Sequence, residues 1–345
     1  MSLRITAAVL LLSPVVAVAQ CPGDLDGNGT IENADLGAFL ALWGGAQGGA
    51  ADLDGDGLVD GRDLSRLLAS WGSCQPTPPW AALIELEPDP AIVTDPALRS
   101  AIIATGWAWR VRDVATQIEM VLIPPGTYQR GCTPSVQFAC VLIESPVHQV
   151  TITHPFYMSR TEVTQAQWSS TMGSNPSFFQ GASYPDAAQR PVERVSWDTV
   201  QGFLTAASMR LPSEGEWEFA CRAGTTTAFH GSAALPGGTS DDTQVAQIAW
   251  TTGNSASQTH AVAGKAANGF GLHDMSGNVT EWVGDFFGQY SSAPQVNPFR
   301  ASGISKNVRG GSWQNTTDNS RSSYRNFYQP TVSSSLIGFR VARNP

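Results

Sequence analysis

Arg210-Leu-Pro-Ser-Glu-Gly-Glu-Trp-Glu-Phe-Ala220 carries the start signal of a short helix. Ser213 stands where a side-chain oxygen caps the free N–H groups of a first turn, and Glu216, three residues on, completes a capping box. Upstream, Val195-Ser-Trp-Asp198 leads into a second helix over residues 199–207. Earlier still, Met120-Val-Leu-Ile-Pro-Pro-Gly126 reads as a strand ending in a turn, and Val147-His-Gln-Val-Thr-Ile-Thr153 alternates as a half-buried strand. Downstream, residues 222–345 show almost no helical periodicity and form a mosaic of Gly and Trp motifs. Few helices among short strands and long loops give an α+β reading. A core carrying this much loop must anchor it with buried aromatics, polar networks or metal ions.

Composition agrees. The 345 residues allow two or three domains, and only 14% are charged, against roughly 25% in an average soluble chain. With 34 Gly, 22 Pro and 11 Trp, a coiled coil, a helical bundle and a charge-rich disordered chain are excluded. The net charge of −9 argues against a nucleic-acid partner.

Ordered motifs run through the large domain, residues 118–345. They are Met120–Gly126, Arg160-Thr-Glu-Val-Thr164 with Trp168, Pro191-Val192 with Val195-Ser-Trp197, and the 210–217 stretch. Asn268-Gly-Phe-Gly-Leu-His-Asp-Met275, Gly277-Asn-Val-Thr-Glu-Trp282, Arg309-Gly-Gly-Ser-Trp313 and Ile337-Gly-Phe-Arg340 follow. This order resembles the formylglycine-generating enzyme, or sulfatase-modifying factor, family. The resemblance implies a C-type-lectin-like fold with much irregular structure and structural calcium.

The resemblance also implies two copper-binding cysteines, two and seven residues after the aromatic of Arg-Gly-Gly-Ser-Trp. Those positions hold Asn315 and Ser320, and no cysteine follows Cys221. Copper(I) requires soft thiolates, so copper is not expected. A related iron-dependent branch needs a histidine cluster, whereas His148, His154, His230, His260 and His273 are scattered. No Gly-x-Ser-x-Gly elbow supports hydrolysis. A calcium site carried over from the family falls on Asp274, Gly277, Val279 and Glu281, whose oxygens suit a hard cation; a pairing of Glu281 with an arginine is the plainer alternative. Residues 314–335, with Tyr324, Arg325 and Tyr328, have the composition of an adaptable ligand-binding surface.

The acidic charge concentrates near the start. Residues 21–75 hold nine acids and two bases, arranged as a repeat at an offset of 28. Asp24-Leu-Asp-Gly-Asn-Gly-Thr-Ile-Glu-Asn-Ala-Asp35 matches Asp52-Leu-Asp-Gly-Asp-Gly-Leu-Val-Asp-Gly-Arg-Asp63. Each has the oxygen spacing of an EF-hand calcium loop. Candidate ligands are Asp24, Asp26, Asn28, the Thr30 carbonyl and Asp35, then Asp52, Asp54, Asp56, the Leu58 carbonyl, Asp60 and Asp63. Leu36, Phe39, Leu40, Trp43 and Leu64, Leu67, Leu68, Trp71 then form apolar helical stripes expected to bury both tryptophans. The duplicated loop-plus-helix resembles a dockerin domain, which implies a cohesin-like or cell-surface scaffold as partner.

Residues 1–19 read as a signal peptide: Arg4, an apolar run over residues 7–18, and a small-x-small end at Ala17-Val18-Ala19. A secreted chain is the consequence, and paired cysteines fit it, Cys21 with Cys74 and Cys132 with Cys140. Cys221 is left as a buried thiol. Residues 76–117 read as a linker and lead-in, with helices expected over 80–86 and 96–104 and a strand over 107–112. The whole reads as a secreted calcium-binding protein whose large domain is a binding or accessory module bearing an unidentified extracellular glycan or protein ligand. A formylglycine-generating oxidase, or a related metal-dependent oxidoreductase, is the alternative.

Overall fold

A computed structural model describes residues 23–28, 30–45, 49–73, 77–132 and 138–345. The expected signal peptide and both Cys21 and Cys74 lie outside the described residues. The chain divides into two compact units, Met1–Pro76 and Thr77–Pro345.

In the smaller unit each acidic loop runs into a nine-residue helix, Asn33–Ala41 and Gly61–Ala69. The first loop pairs antiparallel, through Thr30–Ile31, with Gly72–Ser73 just beyond the second helix. Ile31, Phe39, Ala51, Val59 and Leu67 form the core. The tryptophans are not in it: Trp43 is 48% exposed and Trp71 43%. Both helices end before those positions, so the apolar stripe is cut short and its last members, with Leu40 and Leu68, face outward.

The larger unit is mixed α/β. A five-stranded antiparallel sheet runs in the order Ala342–Arg343, Phe156–Ser159, Glu119–Ile123, Arg110–Asp113, Ala81–Glu85. Residues 80–117 are therefore part of this fold and not a linker. The expected helix at 80–86 is the strand Ala81–Glu85, recruited by backbone pairing with Arg110–Asp113. The helix expected over 96–104 forms as Pro96–Ile103, capped by Asp95. Trp109 is fully buried, and Trp80 stacks edge-on against Tyr157.

A second sheet has four strands, Arg325–Tyr328, Lys306–Arg309, Thr280–Phe286 and Ile337–Phe339, and carries the candidate site. The first three pair antiparallel; the last joins Thr280–Phe286 in parallel. Gly126–Arg130, His148–Ile152 and Gln295–Val296 make a third, smaller sheet.

The two helices read from sequence are present. Ser196 caps Trp197–Ala207. Ser213 caps Glu214–Arg222: its Oγ accepts from Glu216 N–H at 3.1 Å, and Glu216 accepts in return from Ser213 N–H at 2.7 Å. Trp217, Trp282, Trp109, Trp168 and Phe339 sit in one continuous core with the sheet residues.

Candidate functional site

The strand Arg325–Tyr328 and the residue before it set the site. Successive side chains of a strand point to opposite faces. Tyr324, Asn326 and Tyr328 therefore share one face, where they line a cavity of about 240 Å3. Thr280, Asn315, Val332, Ser334, Leu336 and Ile337 complete its wall. Tyr324 Oη accepts from Asn319 Nδ2 at 2.6 Å, and burial holds its phenol above the ordinary value. Tyr328 rests edge-on against Trp282. None of the nine lining side chains is ionisable in the neutral range, so the pocket offers hydroxyls and carboxamides over an apolar floor.

Arg325 points the other way, which corrects its assignment to a ligand-binding surface. It is 1% exposed and grips Glu214 with two hydrogen bonds of 2.7 Å. Glu214 also faces Arg130 at 2.6 Å and Arg309 at 3.3 Å, and accepts from Asn307 Nδ2 at 2.9 Å. One helical turn on, Glu218 binds Arg309 at 2.6 Å and Arg222 at 2.9 Å. The i, i+4 spacing of the two glutamates puts both on the helix face that meets the arginines. Burial opposes the charged form of Glu214, but Arg325, Arg130 and Arg309 outweigh it and hold its carboxyl down at about 2. Arg309 also donates to the Ser322 and Ser323 carbonyls and Arg325 to those of Ile143 and Gly288, so this buried network anchors the segment before the strand and two further loops to the helix.

A copper-thiolate pair does not fit the residues at the family's positions. Asn315 reaches the pocket, but its Oδ1 accepts from both the N–H and the hydroxyl of Ser312. Ser320 is fully buried outside the pocket wall, and its carbonyl accepts from Ser276 Oγ. Gly311, at φ +69°, is needed there: a Cβ would stand 2.6 Å from Ser320 Oγ. Cys132 and Cys140 are bridged. Cys221 is buried, and burial pushes its thiol up to about 11.

The carried-over calcium residues lie in a buried acidic nest. Glu281 is held by Arg340 through bonds of 2.7 Å to each oxygen and by Trp217 Nε1 at 2.6 Å. Asp274 spends one oxygen on Ala263 N–H at 2.7 Å, and its other has no hydrogen-bond partner. Sequence reasoning missed Glu162, which is fully buried with both carboxylate oxygens unpartnered. Its only visible signal was its place in the Arg160–Thr164 motif. Burial, with the neighbouring Asp274 and Glu281 charges, pushes Glu162 well above the carboxylate range; Asp274 reaches about 6. Among the described residues these three carboxylates do not bring three ligand oxygens within 4.8 Å of one another, and Arg340 and Trp217 already occupy both Glu281 oxygens. Gly277, at φ +80°, lets the loop pass the Trp250 carbonyl, which any Cβ would strike.

In the smaller unit Asp24, Asp26 and Asp35 bring carboxylate oxygens within 4.8 Å of one another, as do Asp52, Asp54 and Asp63. Asp35 accepts from the N–H groups of Leu25 at 2.7 Å and Glu32 at 2.9 Å; Asp63 does the same with Leu53 and Asp60. The twelfth loop position thus ties the loop to its helix. These sets suit calcium in ligand type.

Residues 110–345 match the family model of the sulfatase-modifying factor enzyme 1-like domain. The serine/threonine-protein kinase pkn1 of Chlamydia pneumoniae is 30% identical over 251 residues, covering 66% of this chain and 38% of that protein. The chain thus spans well under half of that kinase. The formylglycine-generating enzyme of Streptomyces coelicolor is 28% identical over 258 residues, 58% of this chain and 82% of the enzyme. Among solved structures, Treponema denticola variable protein 1 superposes with a TM-score of 0.58 at 28% identity, over 66% of this chain and 95% of its own. PvdO from Pseudomonas aeruginosa gives 0.57 at 28% identity, over 68% and 98%.

Proposed function

Because the chain belongs to the sulfatase-modifying factor enzyme 1-like family, we propose that it is a binding or accessory member of that family and not a copper oxidase. One observation carries the reading. Of the two positions where thiolate chemistry would need cysteine, one is Asn315 in the pocket wall and the other is Ser320, buried outside it, and the rest of the polar wall is two tyrosines, Asn326, Thr280 and Ser334. Such a wall recognises a neutral, hydrogen-bonding group: the hydroxyls of a sugar ring or the amide of a peptide. Tyrosine adds rigid contact area at low entropic cost. A volume of about 240 Å3 takes one such group and not a long ligand.

In this reading the protein is exported and its ligand is an extracellular glycan or protein. The smaller unit is a dockerin-like calcium module: Asp24, Asp26, Asn28, Asp35 and Asp52, Asp54, Asp56, Asp63 hold the ions, and a cohesin-like or cell-surface scaffold is its partner. A further calcium is assigned to Asp274 and the Gly277 and Val279 carbonyls, with Glu281 shared with Arg340. Calcium supplies charge neutralisation and rigidity; it does no bond-making chemistry here.

A formylglycine-generating oxidase is the second reading, favoured by the match across 82% of the Streptomyces enzyme. It would require metal ligands other than a thiol pair. Glycan-array and surface-protein binding by wild type and by Tyr324→Phe/Asn326→Ala/Tyr328→Phe separates the two. Loss of binding at an unchanged melting temperature supports the binding module. Binding indifferent to the triple change removes the pocket from the function.

A further inference from the structure

A cleft of about 760 Å3 shares no lining residue with the tyrosine pocket. Its volume falls within the roughly 300–1,000 Å3 of small-molecule sites. Trp197 and Leu204 of the helix Trp197–Ala207, Met209, Leu211, Phe286 and Phe299 give it an apolar lining.

Lys306 lines this cleft and is 3% exposed. Its Nζ lies 3.5 Å from the centre of the Phe286 ring and 3.8 Å from that of Trp197. It donates to the Gly284 carbonyl at 2.8 Å. Among the described residues no carboxylate forms an ion pair with it. The nearby acids are otherwise engaged or more distant: Asp285 accepts from the Glu214 and Arg300 N–H groups, and Asp198 acts only at longer range. The other charged side chains of the lining are the mutually paired Arg210 and Glu216, and His154 is bound to Thr153 Oγ1. Burial pulls the Lys306 amine down to about 8, with Asp285 and Asp198 opposing the fall.

An ammonium has three donors. Here one has a carbonyl, and ring faces supply the remaining attraction. A buried cation without a counter-ion is costly, and an entering anion removes that cost. The rest of the wall is aromatic and aliphatic. We propose that this cleft binds an amphiphilic organic carboxylate, its carboxylate on Lys306 and its hydrocarbon body along Trp197, Leu204, Met209 and Phe286. The site is independent of the tyrosine pocket, so the failure of either leaves the other standing.

Calorimetric titration of the full chain with decanoate tests this, with decyltrimethylammonium as the cationic counterpart. Wild type is expected to bind decanoate saturably at one site and the ammonium compound much more weakly. Lys306→Met should weaken decanoate at least about tenfold, the scale of one charge-assisted hydrogen bond. Lys306→Arg should retain binding, and Leu204→Trp, which fills the cleft, should abolish it. Wild-type affinity should fall as pH rises through about 8, where Lys306 loses its proton. Absence of saturable decanoate binding, equal binding of the two probes, or full affinity in Lys306→Met would each overturn the proposal. Should Lys306→Met fail to fold, the Lys306→Arg and Leu204→Trp results and the pH profile decide alone.

Discussion

Replacing Glu214 by Gln removes the negative charge that Arg325, Arg130 and Arg309 share in the interior. All four side chains are almost fully buried, between 0% and 5% exposed. Taking one partner from a buried ion pair costs about 3–5 kcal/mol, because the remaining charges stay desolvated and unmatched. The titration behaviour gives a second figure. The Glu214 carboxyl falls from an ordinary 4.5 to about 2, and at about 1.4 kcal/mol per unit this corresponds to about 3 kcal/mol. Both routes place Glu214→Gln near 3 kcal/mol. Urea unfolding followed by tryptophan fluorescence reads the loss as a lowered midpoint at constant slope. Because the folded value is depressed, the contribution is complete above pH 4.5 and disappears as pH falls through about 2. The gap between wild type and variant should close over that window. Arg325→Met should also destabilise, and the double variant should lose about 1–3 kcal/mol less than the sum of the two singles. A Glu214→Gln variant within about 0.5 kcal/mol of wild type, the range of ordinary surface changes, would refute the anchoring role. So would an Arg325→Met variant that loses ligand binding but no stability.

Calcium should raise the helicity of the smaller unit, and Asp24→Ala/Asp52→Ala should abolish that rise; circular dichroism with and without chelator checks it. In chelator, Asp274, pushed up to about 6, should make the protein lose stability as pH rises from 3.8 through about 6. Added calcium should flatten that dependence. Mass mapping should find Cys132 bridged to Cys140, with Cys221 inert to iodoacetamide until the protein unfolds.

Local signals in the sequence were the most readable ones. The reciprocal bonds of Ser213 with Glu216 span three residues, so spacing alone revealed them. The repeat of acidic loops was visible for the same reason. What was hidden depends on partners distant in the chain. Arg325 looked like a surface residue between two tyrosines, and only pairing with Lys306–Arg309 fixes which face it takes and delivers it to Glu214, 111 residues away. The strand Ala81–Glu85 is likewise made by its neighbour Arg110–Asp113, against a local pattern that read as helical. Trp43 and Trp71 followed helical spacing, yet helix ends at Ala41 and Ala69 left them outside. Glu162 carried no signal of its own; its significance lies in the unpartnered oxygens that tertiary packing creates beside Asp274.

Oxidase chemistry is the sharpest dividing line. Purified wild-type protein, loaded with copper(I) and then dialysed, can be incubated in air with a Cys-x-Pro-x-Arg peptide while metal content and peptide mass are followed. With Asn315 and Ser320 at the positions where the family's thiolates would stand, no stoichiometric copper should remain and the cysteine should stay unconverted. Retention of one copper per chain together with conversion of the peptide cysteine to formylglycine would contradict the binding-module reading outright.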